Sequence, residues 1–321
     1  MNVNRTLGRP LRSAFKTYLG IEMIRRRTSN LVSVGLASLQ HPGRPDRKPL
    51  SLYYPEDQVR RVTFDAGYEL GWKLTAVETP REKPAPYKFI VIAGSPSWSE
   101  YWAEFLSMLP EDREMMVVDR PGFGASGPKT PVHDIRLQAA ALSPLLKVPF
   151  GQKVILVGHS YGAAIATLMA ANNPGKVAGL VLLSGYFGEF GSTSRWLVRL
   201  GSKVMHLIPR DLRHAIIEVT GQKPQLAHMR DALARLRTPI HVIHGDKDDY
   251  APFEVAEKLV KAVRTKRPVR LETIEGGDHF MHDGMPEQLL AALERSVPQR
   301  KPLFDFLQPK PDKDDEAANA A

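Results

Sequence analysis

The 321-residue sequence has no cysteine. That absence excludes disulfide staples, thiolate metal ligands and cysteine nucleophiles together, and it leaves the redox compartment unmarked. Long hydrophobic runs are missing as well. No stretch reaches the roughly 18–20 apolar residues of a membrane-crossing helix, and the best early one is LVSVGLASL. Charged Arg25, Arg26 and Arg27 interrupt the apolar segment a cleaved signal peptide needs. Acidic residues are scarce at the start. Residues 1–50 set ten Lys/Arg against Glu22 and Asp46 and so hold most of the net charge of +9. The basicity belongs to this leader, which argues against a nucleic-acid-binding core with a basic face of its own. These features point to a cytoplasmic protein, with residues 1–30 available for peripheral contact with an anionic membrane.

The leader places Leu7, Leu11, Phe15, Tyr18, Leu19 and Met23 three or four apart, with Arg5, Arg9, Arg12 and Lys16 between them. This is the pattern of a short basic amphipathic helix, suited to lie on anionic lipid or to pack on its own domain. An arginine-rich, acid-poor start also resembles an organelle transit segment. QHPGRPDRKP closes the leader as a linker.

From residue 51 the texture changes. VRRVTF and LGWKLTAVET read as an antiparallel pair, and YKFIVIAG is continuously apolar, as a strand buried on both faces should be. Helix-like and strand-like runs then alternate: SEYWAEFLSMLP, EMMVVD, PVHDIRLQAAALSPLL, KVILVG, YGAAIATLMAAN and VAGLVLLS. Strict alternation implies right-handed crossovers and a mostly parallel, doubly wound α/β sheet. After Ser184 come three helical stretches, SRWLVRLGSKVMHL, RDLRHAIIEV and LAHMRDALARL, read as a lid inserted after the sixth strand. PIHVIHG, FEVAEKLVKAV, VRLETIEG and PEQLLAALERSV resume the alternation. The expected organisation is a basic leader and linker over 1–50, core over 51–184, helical lid over 185–237 and core over 238–297. A disordered tail is expected over 298–321, where apolar residues are too few to pack.

Gly158-His159-Ser160-Tyr161-Gly162 lies where a strand ends and a helix begins. A turn that tight needs glycine on both sides, and it presents the serine at the strand's C-terminal end. A serine hydroxyl needs a base, and the base needs an orienting acid. GDKDD at 245–249 and GDHF at 277–280 follow the last two strands, giving the chain order serine, acid, histidine. The scattered His133, His206, His214 and His228 lack metal-ligand spacing, and His241 and His244 belong to a strand; no metal or cofactor is expected.

AGSPSW, VVDRPGFGASG, the GHSYG elbow and the paired GDKD and GDHF together resemble the α/β-hydrolase superfamily over roughly residues 58–297. The resemblance implies its serine-nucleophile, esterase/lipase-like branch, because Ser160 stands where epoxide hydrolases and haloalkane dehalogenases carry aspartate. It implies Ser160 as nucleophile, His279 rather than His282 as base, and Asp248 rather than Asp246 or Asp249 as acid. It also implies two oxyanion donors, the backbone N–H of Tyr161, one residue past the serine, and a second at Ser95, in a loop that reads Ala93-Gly94-Ser95-Pro96 where relatives carry His-Gly-x-Pro. DRPGFGASG reads as a structural turn anchored by Asp119 and Arg120. Trp98, Tyr186, Phe187 and Trp196 are candidate pocket residues for an apolar acyl group.

The implied activity is hydrolysis of a carboxylic ester of small to medium size through an acyl-enzyme. Carbon–carbon bond hydrolysis, lactone opening and acyl transfer use the same triad and stay open, as does a non-catalytic membrane-associated scaffold.

Overall fold

A computed structural model describes residues 54–267 and 269–298. The basic leader and residues 299–321 of the tail lie outside the described residues.

Eight strands form one sheet: β1 (Arg60–Asp65), β2 (Lys73–Glu78), β3 (Tyr87–Ile92), β4 (Arg113–Asp119), β5 (Lys153–His159), β6 (Val177–Leu183), β7 (Ile240–Gly245) and β8 (Val269–Ile274). Their spatial order is β1-β2-β4-β3-β5-β6-β7-β8. β1–β2 and β2–β4 pair antiparallel and every later pair is parallel. The parallel strands end on one edge, so the loops after β3, β5, β7 and β8 gather there.

Period-two alternation splits the core into two layers. Ile90, Ile92, Val154 and Leu156 face one side of the sheet, and Phe89, Val91, Ile155 and Val157 face the other. All eight are fully buried, each contributing about 1.5–3 kcal/mol of transfer free energy. The described helices are α1 (Ala103–Ser107), α2 (Ile135–Leu142), α3 (Gly162–Asn172), α4 (Ser192–Lys203), α5 (Arg210–Arg235), α6 (Phe253–Ala262), α7 (Met281–Gly284) and α8 (Pro286–Glu294). Residues 162–170 of α3 are buried all round, which explains its small, apolar composition rather than an amphipathic stripe.

Between β6 and β7 stand α4 and α5. The stretches expected as separate helices at 210–219 and 226–236 are one 26-residue helix that runs through Pro224. Its inner face carries Asp211, His214, Glu218, Gln222 and Gln225, three or four apart, and each bonds a core loop. Asp211 accepts from the Trp98 indole (2.7 Å) and Gly124 N (3.1 Å). His214 meets the Gly122 carbonyl at 2.8 Å, and Gln222 donates to the Tyr161 carbonyl at 3.1 Å. Gln225 donates to the His133 carbonyl at 2.9 Å and accepts from Ile135 N at 3.0 Å. Proline removes one helical donor, and bonds to the core on both sides of it hold the two halves in line.

Candidate active site

Ser160 sits between β5 and α3 with φ +52°, a left-handed conformation that costs a non-glycine residue energy. The flanking glycines make the turn possible. A Cβ on Gly158 would stand 2.6 Å from the Ala163 Cα, and one on Gly162 would run into the Ile92 carbonyl oxygen. The strained serine is held by its own backbone: Ser160 N donates to Leu183 O (3.0 Å), and Ser160 O accepts from Tyr186 N (3.2 Å).

His279, on the loop after β8, brings Nε2 to 2.9 Å from Ser160 Oγ. Its Nδ1 lies 2.8 Å from Asp248 Oδ2, on the loop after β7. The other carboxylate oxygen accepts from Tyr250 N (2.9 Å) and Ala251 N (2.8 Å), which fixes the plane of the group. With Nδ1–H donated to the carboxylate, Nε2 is left to accept the serine proton. Burial alone would raise the Asp248 carboxyl, but His279 and His244 outweigh it and hold it well below the ordinary range.

The neighbouring candidates go elsewhere. Asp246 accepts from Gly276 N at 2.7 Å, and Asp249 from the Thr193 hydroxyl at 2.7 Å. His282 stacks on Trp102, centroids 4.0 Å apart, and burial, with His159 and His279 nearby, pushes it well below its ordinary value. Among the described residues no group of three acidic or histidine side chains is arranged to hold a metal ion.

Tyr161 opens α3, beside Ser160. In the loop after β3, Gly94 lies close enough that an added Cβ would stand 2.9 Å from Ser160 Cβ and 3.4 Å from its Oγ. Ser95 follows, its hydroxyl donating to Glu218 of α5 at 2.8 Å. Asp119 anchors the DRPGFGASG turn, accepting from Ser99 N and Thr75 Oγ1, both at 2.8 Å. Arg120 does more than anchor that turn. Fully buried, it donates to the Ala93 (2.9 Å) and Gly94 (2.8 Å) carbonyls and pairs with Glu218.

The four pocket candidates separate. Tyr186 lines a cavity of about 290 Å³ with Glu189, Phe190, Arg195, Val219 and Lys223. Phe187 is packed in the core, and Trp98 is buried with its indole on Asp211. Trp196 is 55% exposed on α4. Sequence reasoning missed Glu218, Gln222 and Asp211. Their signal was present as polar residues at helical spacing, a pattern that ordinarily marks a solvent face.

The model of the alpha/beta hydrolase family matches residues 89–293. This chain belongs to that family. Among its α/β-hydrolase relatives, the putative carbamate hydrolase RutD of Pseudomonas savastanoi pv. phaseolicola is 24% identical over 68% of this chain and 92% of its own length. The human monoglyceride lipase is 25% identical, over 76% and 89%. A solved esterase from Exiguobacterium antarcticum shares the fold with a TM-score of 0.56 at 20% identity, covering 73% of this chain and 98% of its own. The protein is a hydrolase of the α/β fold. Among the described residues no helix is long and apolar enough to cross a membrane.

Proposed function

We propose that the protein hydrolyses carboxylic esters of small to medium acyl size through an acyl-Ser160 intermediate. The observation that carries this reading is the continuous relay from Asp248 through His279 to Ser160, with contacts of 2.8 and 2.9 Å. Ser160 Oγ attacks the ester carbonyl as its proton passes to His279 Nε2, and Asp248 stabilises the imidazolium. The backbone N–H groups of Tyr161 and Ser95 take the developing oxyanion. Collapse breaks the ester C–O bond, His279 protonates the departing alcohol, and the acyl group stays on Ser160. A water, deprotonated by His279, then attacks the acyl-serine and releases the acid. The names of relatives such as a monoglyceride lipase and a pimeloyl-[acyl-carrier protein] methyl ester esterase agree with an ester substrate.

The test is covalent labelling by a fluorophosphonate probe, with the adduct located by peptide mass spectrometry and compared with Ser160→Ala. An adduct on Ser160 that the variant lacks supports the reading. Folded wild-type protein that stays unlabelled overturns it, and the scaffold reading then takes precedence. The helices between β6 and β7 act in this proposal as the cover of the site. The basic leader supplies peripheral contact with anionic lipid, which vesicle co-sedimentation with and without residues 1–50 tests.

A further inference from the structure

Glu218, Arg120 and Gln138 have no exposed surface at all, although two of them are ionic. Glu218 holds the guanidinium in two parallel bonds, Arg120 Nη1 to Oε1 at 2.7 Å and Nη2 to Oε2 at 2.8 Å. Its remaining capacity takes the Gln138 amide at 2.6 Å and the Ser95 hydroxyl at 2.8 Å. Arg120 Nε and Nη2 then reach the carbonyls of Ala93 and Gly94. A carboxylate from the inserted helix α5 is thus connected, through one arginine, to the loop that faces Ser160.

The Gly94 carbonyl and the Ser95 N–H belong to one peptide unit, and in a trans peptide they point in opposite directions. Fixing that carbonyl on Arg120 therefore aims the Ser95 N–H away from the arginine. The Gly94 Cα of the same unit sits against Ser160. A cation on the carbonyl oxygen also polarises the amide and strengthens its N–H as a donor. Glu218 grips the other end of the same residue by its hydroxyl. Removing Glu218 would leave Arg120 as an uncompensated buried charge free to re-aim.

We infer that Glu218 of α5 is a positioning residue for ester hydrolysis: through Arg120 and the Ser95 hydroxyl it orients and polarises the Ser95 N–H that receives the oxyanion. This rests on the ester-hydrolase reading above. It makes α5 a fixed component of the active site.

The test compares wild type, Glu218→Gln and the double variant Arg120→Met/Glu218→Leu on p-nitrophenyl butyrate, with Ser160→Ala as reference. Glu218→Gln should lower kcat by about 10- to 100-fold, short of the roughly 10²–10³-fold cost of deleting a donor, with KM nearly unchanged. Inhibition by a trifluoromethyl ketone, whose serine adduct places an oxyanion in the same position, should weaken by a similar factor. The double variant removes both buried charges together and so avoids the uncompensated charge that a single removal leaves; with its folded state checked by circular dichroism, it should remain as slow as Glu218→Gln. Wild-type kcat in folded Glu218→Gln, or recovery of kcat in the double variant, would overturn the inference by reducing the network to a structural one. Ester turnover that survives in Ser160→Ala would instead overturn the underlying reading, a separate outcome.

Discussion

The ring of His159 ties the nucleophile's turn to the loop of the base: its Nε2 donates to the backbone carbonyl of His279 at 3.0 Å. Burial, and the His279 ring beside it, push His159 down to about 3, so it stays neutral and keeps the tautomer with the proton on Nε2. The residue next to the proposed nucleophile thus holds the proposed base in register. His159→Ala should lower kcat for ester turnover by about 10-fold, as expected for the loss of one buried hydrogen bond of about 1 kcal/mol and the play it allows, with KM little changed. Steady-state kinetics of the folded variant checks this.

Gly94→Ala separates the loop from the fold. Its methyl would stand 2.9 Å from Ser160 Cβ, and the loop can yield where the elbow cannot. The variant should fold, with kcat reduced by about 10²-fold as the oxyanion donors shift. Gly162→Ala meets the Ile92 carbonyl in the strand beneath and should instead lose the folded state. Circular dichroism together with activity distinguishes the two.

Asp248→Asn keeps the shape of the relay and removes its charge. An amide that donates to His279 would force the imidazole proton onto Nε2, where it cannot accept from Ser160, and turnover should fall by about 10⁴-fold. Fluorophosphonate labelling should slow in parallel, as a time course of adduct formation would reveal.

Acid should destabilise the protein well before ordinary carboxylates titrate. Burial holds His159 near 3, His241 near 4 and His282 well below its ordinary value. The unfolded chain binds protons at these histidines as pH falls through about 6.5, while the folded protein does not. Stability is therefore lost between about 6.5 and the folded values, at up to about 1.4 kcal/mol per pH unit for each histidine. Asp248, held low, adds to the loss below about pH 4. Melting temperature should fall steeply from pH 6.5 to 4 and stay nearly flat above. His282→Phe, which preserves the stack on Trp102, should make the acid limb shallower in differential scanning calorimetry.

The core strands were legible because each is a short apolar run bounded by turn residues; burial on both faces removes the alternation, so it is length and β-branched content rather than period that separate them from a buried helix such as α3. The elbow was legible because its steric demands act within five residues. The loops that carry Asp248 and His279 could be placed because parallel strands deliver the loops after them to one edge, while the choice of Asp248 over Asp246 and Asp249 came from the resemblance to the α/β-hydrolases. The inserted helices were legible as helices but not in their length. Pro224 suggests a break, and contacts on both sides of it, with the Tyr161 and His133 carbonyls and through buried Leu226 and Met229, carry α5 through it. Trp98, Tyr186 and Phe187 read alike in the sequence because aromatics suit both a pocket and a core; all three are buried, and Tyr186 also lines the cavity between α4 and α5.

By itself, the sequence determined what local sterics and hydrophobic period control: the order of strands and helices, the strained turn at Ser160, and the candidate acid and base on their loops. The tertiary structure alone decided which polar side chains meet at long range. Glu218 lies 98 positions from Arg120 and 123 from Ser95, and no periodicity links them. On a helix, a buried polar stripe and a solvated one have the same spacing. What distinguishes them is the chain packed against them, here the loops after β3, β4 and β5, whose carbonyls and amides need partners once water is excluded.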